Sequence, residues 1–115
     1  MKIRINGNRL RLRLAKTEVS HLVANREVSD HCQIGVNTLT YKILSGDYPT
    51  LDAAFSDQII TVFVPNALTE KWDENDRVGF DGHDANGLYI LVEKDFQCLS
   101  PREEDESDLY PNPVA

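Results

Sequence analysis

Arg9, Arg11 and Arg13 alternate with Leu10, Leu12 and Leu14 in the stretch RLRLRL, and Arg4 and Lys16 flank it closely. Cations carried on one strand and its flanks suit phosphates or carboxylates, the chemistry of nucleic-acid or acidic-partner binding. A cluster of opposite sign lies near the other end of the chain. Glu103, Glu104, Asp105, Glu106 and Asp108 crowd a short run that leads into Tyr110. Such a run reads as a solvated tail, as an acidic strap over the arginines, or as a partner-binding segment anchored by Tyr110. His31, Cys32, His83 and Cys98 supply the atoms of a two-imidazole, two-thiol metal set. Their spacing lacks the C-x₂₋₄-C and H-x₃₋₅-H patterns that gather such ligands, so unliganded side chains are the commoner outcome for them. His21, beside the apolar positions of a helix, reads as a surface or boundary residue.

Catalytic patterns are missing. There is no glycine-rich phosphate loop, no G-x-S-x-G and no H-E-x-x-H. Asp81, Asp84, Glu93 and Asp95 stand as carboxylates with no evident proton-transfer partner. The sequence therefore reads as a non-enzymatic protein that needs no cofactor.

The 115 residues carry a net charge of −7, unevenly spread. Residues 1–50 hold eight basic and four acidic side chains, and residues 51–115 hold four basic and fifteen acidic ones. A chain with a basic half and an acidic half suits a two-faced binder or a self-complementary oligomer. Two cysteines are too few for a disulfide framework, which points to reduced thiols and a cytoplasmic setting. No apolar run approaches the ~18 residues that span a bilayer, so no membrane partner is expected.

The elements that must position these residues follow from period and punctuation. Residues 2–5 read as a strand, NGN at 6–8 as a hairpin turn, and 9–14 as a half-buried strand. Thr17 suits a helix N-cap with Glu18 in the first turn, and Val19, Leu22 and Val23 form the apolar stripe of a helix stopping near Asn25. Val28–Ile34 and Leu39–Leu44 read as strands, and SGDYPT at 45–50 as a linker. The second half repeats the order. A strand ends at Phe55, SDQ turns, and Ile60, Val62 and Val64 alternate. Pro65-Asn66 open a helix presenting Leu68 and Trp72, and strands follow at Val78–Phe80 and Leu88–Val92 about the loop HDANG.

The correspondence runs residue by residue. At an offset of 50, Ile5 meets Phe55; Leu10, Leu12 and Leu14 meet Ile60, Val62 and Val64; Leu22 meets Trp72; and Val28 meets Val78. At an offset of 49, Asn37 and Leu39 meet Asn86 and Leu88. This is a tandem duplication of one strand-strand-helix-strand-strand module. The expected organisation is one domain over 1–101, made of repeats 2–45 and 52–96, followed by an acidic tail at 102–115.

The stretch SDQIITVFVPNALTEKWDENDRVGFDGHDANGLYILVEKDF resembles the AbrB/MazE/MraZ-type swapped-hairpin module. The shared features are the Val64-Pro65 strand end, the Leu68/Trp72 helix spacing, the polar turn with Asp76 and the aliphatic last strand. The resemblance covers 55–96 directly, and 3–44 through the repeat, with Ala15 in place of the proline. It implies a mainly β (α+β) fold: a pseudo-two-fold closed barrel in which two modules interleave their hairpins. The chain also resembles a family of short bacterial proteins with MKIRINGN-like openings and YPNP-like tails, for which no activity is established.

Members of the swapped-hairpin superfamily include DNA-binding regulators and antitoxins, so the resemblance implies a non-enzymatic binding module of that class. Of the positions where those relatives carry arginines, Arg11 alone is basic here. Thr61, Val19, Ser20, Thr69 and Glu70 occupy the others. The repeat-two mates of Arg9, Arg11 and Arg13 are Ile59, Thr61 and Phe63, so DNA is disfavoured by both charge and symmetry. Two alternatives stay open. One is an adaptor for a protein partner or a second copy, using the acidic tail and the Ile59/Phe63 face, unless that face is covered within the chain. The other is a metal-binding accessory protein.

Overall fold

Leu10, Leu12 and Leu14 can all be buried only if residues 9–14 are extended, because a strand sends successive side chains to opposite faces. In the computed structural model, which describes residues 1–96, these leucines are buried on β2 (Arg9–Leu14), and Arg9, Arg11 and Arg13 occupy its wetter face. β1 (Lys2–Ile5) precedes it across a tight turn in which Gly7 takes φ 59°. The mates β5 (Asp52–Ser56) and β6 (Ile59–Pro65) turn through Asp57 and Gln58, both at positive φ without a glycine.

The remaining strands are β3 (Glu27–Ile34), β4 (Asn37–Gly46), β7 (Gly79–His83) and β8 (Tyr89–Lys94). They form two four-stranded sheets. The first has the order β1-β2-β8-β7 and the second β3-β4-β6-β5. Each sheet therefore takes one hairpin from each half of the sequence, joined through a central parallel pair, β2 with β8 and β4 with β6.

The registers repeat as the topology does. Ile5 pairs with Leu10 as Phe55 pairs with Ile60. Leu12 lies opposite Val92 as Val62 lies opposite Ile43. Even the loops match: Tyr89 N–H donates to Asn8 O at 3.1 Å, and Thr40 N–H to Gln58 O at 3.0 Å.

α1 (Lys16–Asn25) buries Val19 and Leu22. It ends at Arg26, whose φ of 62° and N–H to Leu22 O at 2.8 Å close the helix in a left-handed cap. Its start corrects the expected Thr17 cap. The cap residue is Ala15, and Glu18 Oε1 reaches back to accept from Ala15 N–H at 2.9 Å. α2 (Asn66–Thr69) is a single turn. Trp72 lies beyond it in a turn, held by its indole N–H to Arg77 O at 2.8 Å and wholly buried.

Val28 and Val78 do not correspond as expected. Val28 faces Ile43, and the residue facing the equivalent Val92 is Phe80. The turn that carries Trp72 shifts the third strands' offset to 52, leaving Val78 exposed ahead of β7. The core joins the inner faces of both sheets with Val19, Leu22, Leu51 and Trp72. The expected barrel is also corrected, because the hydrogen-bonded ladders among the described residues stay as two separate sheets with edges at β1, β7, β3 and β5. No helix among the described residues is long and apolar enough to cross a membrane.

Candidate anion-binding face

Period-two alternation places Lys2 and Arg4 of β1, Arg9, Arg11 and Arg13 of β2, and Tyr89, Leu91 and Glu93 of β8 on one face of the first sheet. Arg4 lies directly opposite Arg11 on the ladder. Two cations side by side destabilise a sheet unless a counter-charge answers them. That answer comes from the acidic half of the chain: Glu93 Oε1 accepts from Arg11 Nε at 2.6 Å and from Arg13 Nε at 2.8 Å. Lys2 Nζ reaches Asp95 at 2.8 Å.

The other end of the same face differs. The Arg9 guanidinium lies 4.7 Å over the Tyr89 ring, a cation–π arrangement. The Tyr89 hydroxyl donates to Asp81 Oδ2 at 2.7 Å, and that bond, with some burial, holds its pKa above the usual tyrosine value. Arg4 has no ion pair among the described residues. Arg4, Arg9 and Arg11, with Tyr89 and Leu91, line a depression of about 260 Å³. A forked, permanently charged donor set over an aromatic floor suits a carboxylate or phosphate group. Lys16 does not join it. It begins α1 and lines a separate groove with Asp73 and Lys94.

The equivalent face of the second sheet carries Ile59, Thr61 and Phe63 in place of the three arginines. Tyr48, from the segment between β4 and β5, stacks edge-on against Phe63 with ring centroids 5.1 Å apart. Thr61 is buried, and Ile59 and Phe63 are half-buried. Part of this apolar face is thus covered within the chain.

The described members of the metal set, His31, Cys32 and His83, are not brought together. His31 and Cys32 are neighbours on β3 and so point to opposite faces, while His83 lies on β7 in the other sheet. Among the described residues no three His, Cys, Asp or Glu side chains gather as metal ligands, and Cys32 is an exposed free thiol. Cys98, Glu103, Glu104, Asp105, Glu106, Asp108 and Tyr110 lie outside the described residues.

A polar cluster absent from the sequence reading sits at the start of the chain. The Met1 amine is buried and bonded to Glu18 and to Asp30 Oδ2, the latter at 3.0 Å. The Tyr41 hydroxyl donates to Met1 O at 3.1 Å. Burial alone would push the amine pKa down, but the two carboxylates more than offset this and raise it above 8.0. The ammonium, by its hydrogen bond, holds Asp30 below the ordinary carboxylate value.

One family model matches the chain, over residues 1–114: Family of unknown function (DUF7009). No curated protein and no solved structure matches it.

Proposed function

Because the chain belongs to the DUF7009 family, whose function is unknown, we propose a function from its own surfaces: a non-catalytic module that binds an anionic segment of a protein partner on the Arg4–Arg9 side of the first sheet. The observation that carries this reading is Arg4, without an ion pair among the described residues, beside Arg9 and Arg11 around the Tyr89 floor. An acidic protein segment suits it better than duplex DNA. Arg11 and Arg13 already share Glu93, so the face offers few free cations where DNA-binding sites commonly use ~6–10 phosphate contacts. A two-fold operator would meet arginines on one sheet and Ile59, Thr61 and Phe63 on the other. Two positions where DNA-binding swapped-hairpin proteins carry helix arginines are here the buried Val19 and Thr69.

The exchange of one hairpin per half supports kinship of fold with the AbrB/MazE/MraZ-type superfamily. A regulatory or antitoxin-like role is the second reading, favoured by that exchange and by Arg11 at the matching strand position. The exposed Cys32 thiol suits a reducing, cytoplasmic setting.

Fluorescence anisotropy with the full chain tests the proposal, using a labelled oligoglutamate peptide and a labelled DNA duplex as probes. The peptide is expected to bind, and Arg4→Gln or Arg9→Gln to weaken it about tenfold, the worth of one charge-assisted hydrogen bond. Absence of peptide binding overturns the proposal. So does tighter duplex binding whose logarithmic salt slope implies six or more phosphates.

A further inference from the structure

A second depression adjoins the arginine side and shares Arg9 and Leu10 with it. It has a volume of about 490 Å³. Ile5, Leu10 and Leu39 line it together with their repeat mates Phe55, Ile60 and Leu88, so the groove lies on the pseudo-two-fold axis. Ile5 and Phe55 are 63% and 69% exposed at its edges. Large apolar side chains left open in matched pairs around a concavity mark an interaction surface.

The symmetry is broken at one side. Among the described residues Arg9 is the one charged side chain of the lining, and its repeat mate is the apolar Ile59. An occupant of the groove therefore meets hydrocarbon over most of its surface and a permanent cation on one side only. The same cation lines the first depression with Arg4, Arg11 and Tyr89.

We propose that the two depressions form one composite site for a segment of a protein partner that carries a carboxylate and a large apolar side chain a few residues apart. The carboxylate sits at Arg4 and Arg9, and the apolar side chain fills the axial groove. This rests on the anion-binding reading above and adds the half of the ligand that charge does not define. Three observations select this occupant. The first is charge complementarity, since Arg4 and Arg9 have no ion pair among the described residues and stand beside an apolar cavity. The second is spacing. Arg4 lies opposite Arg11, and Ile5 lies opposite Leu10 on the next rung. One rung is about 3.3 Å, and residues one to three apart in an extended segment span about 3–10 Å, so a single short segment serves both depressions. The third is the backbone at the groove's edges. Ile5 belongs to β1 and Phe55 to β5, which are edge strands among the described residues. An edge strand leaves donors and acceptors that an extended polypeptide can pair with and an acyl chain cannot.

Fluorescence anisotropy with the full chain tests the proposal. The labelled probes are peptides of four glutamates with Leu-Phe after them, with Leu-Phe before them, or with Ser-Ser in place of Leu-Phe. At least one Leu-Phe peptide is expected to bind about tenfold more tightly than the Ser-Ser peptide, through burial of its apolar side chains. Phe55→Ser, at an exposed position, should remove that gain, and Arg9→Gln should weaken the same peptide about tenfold. Val36→Ser, on the exposed turn between β3 and β4, should leave its binding unchanged. Equal binding of all three peptides overturns this inference and leaves the anion-binding reading standing. Binding of none overturns both. A gain that survives Phe55→Ser puts the apolar contact elsewhere and overturns the inference. So does a dimer of the chain alone, seen by sedimentation, that Phe55→Ser dissolves, because it assigns the groove to a second copy.

Discussion

Met1 and Leu51 hold equivalent places fifty residues apart, each just ahead of the first strand of its half, and the chain treats them in opposite ways. The Met1 amine is buried against Glu18 and Asp30. Leu51 is buried too, against Gly82, which holds in the second half the place Asp30 holds in the first and whose added Cβ would lie 3.4 Å from Leu51 Cδ1. One half closes this corner with charge and the other with hydrocarbon. The outer faces differ in the same sense: Arg9, Arg11 and Arg13 on the first sheet stand where Ile59, Thr61 and Phe63 stand on the second. A shared backbone register fixes only the inward residues. Outward and corner positions are not held by it, and the three alternating arginines stand on one sheet only.

The largest effects should fall where the halves share their role. Trp72→Ala should cost about 3–5 kcal/mol in denaturant unfolding and Leu22→Ala about 2–5, because both side chains are wholly buried at equivalent places. A cost below about 1 kcal/mol for either would break the equivalence of these two buried positions.

Next comes the strand at which the halves slip. A Cβ on Gly79 would meet Val92 O at 2.3 Å and Glu93 Cα at 2.8 Å, both backbone atoms that cannot swing aside. Gly79→Ala should therefore cost about 1–3 kcal/mol. Gly82→Ala should cost less, since its nearest neighbour is the movable tip of Leu51. Thermal unfolding of the pair reads the difference, and equal stabilities would contradict the close approach of β7 to β8.

Glu93→Gln isolates the charged face. Its carboxylate is only 14% exposed and serves both Arg11 and Arg13. Losing it leaves two half-buried guanidiniums without their counter-charge, for about 1–2 kcal/mol of stability. Oligoglutamate should at the same time bind more tightly by anisotropy. Weaker binding would mean that Glu93 shapes the site and does not merely compete for it.

The smallest effect is the pH dependence of the Met1 cluster in the first half. The raised amine contributes stability that is complete below pH 8.0 and lost as pH rises through its folded value. The lowered Asp30 contributes stability present above pH 3.8 and lost as pH falls through its folded value. Stability should be flattest between these limits, and amine acetylation should remove the part of the alkaline limb that begins near pH 8.0, leaving the later part from Tyr41 and Tyr89. A limb still beginning near pH 8.0 after acetylation would place that titration elsewhere.

Strict alternation made the buried leucines and their repeat mates legible, since only an extended chain can hide Leu10, Leu12 and Leu14 together. The partition of hairpins between sheets was not written in any local pattern, because the parallel pairs β2–β8 and β4–β6 join residues distant in sequence. Glu93 escaped notice as the partner of Arg11 because the pairing of β2 with β8 is parallel and eighty residues apart in sequence. The Val28–Val78 match failed because the turn carrying Trp72 adds residues that hydrophobic spacing does not count. The amine cluster had no signal at all, since a chain terminus belongs to no side-chain pattern.

The account turns on Arg4 and Arg9 being the arginines of this face that have no ion pair among the described residues, while Arg11 and Arg13 share Glu93. Titrating the full chain with oligoglutamate and following the arginine Nε–Hε resonances tests this most directly. Shifts of Arg4 and Arg9, with ring-current changes at Tyr89, and with Arg11 and Arg13 nearly still, are the predicted result. Equal movement of all four arginines, or movement of none at saturating peptide, would contradict it.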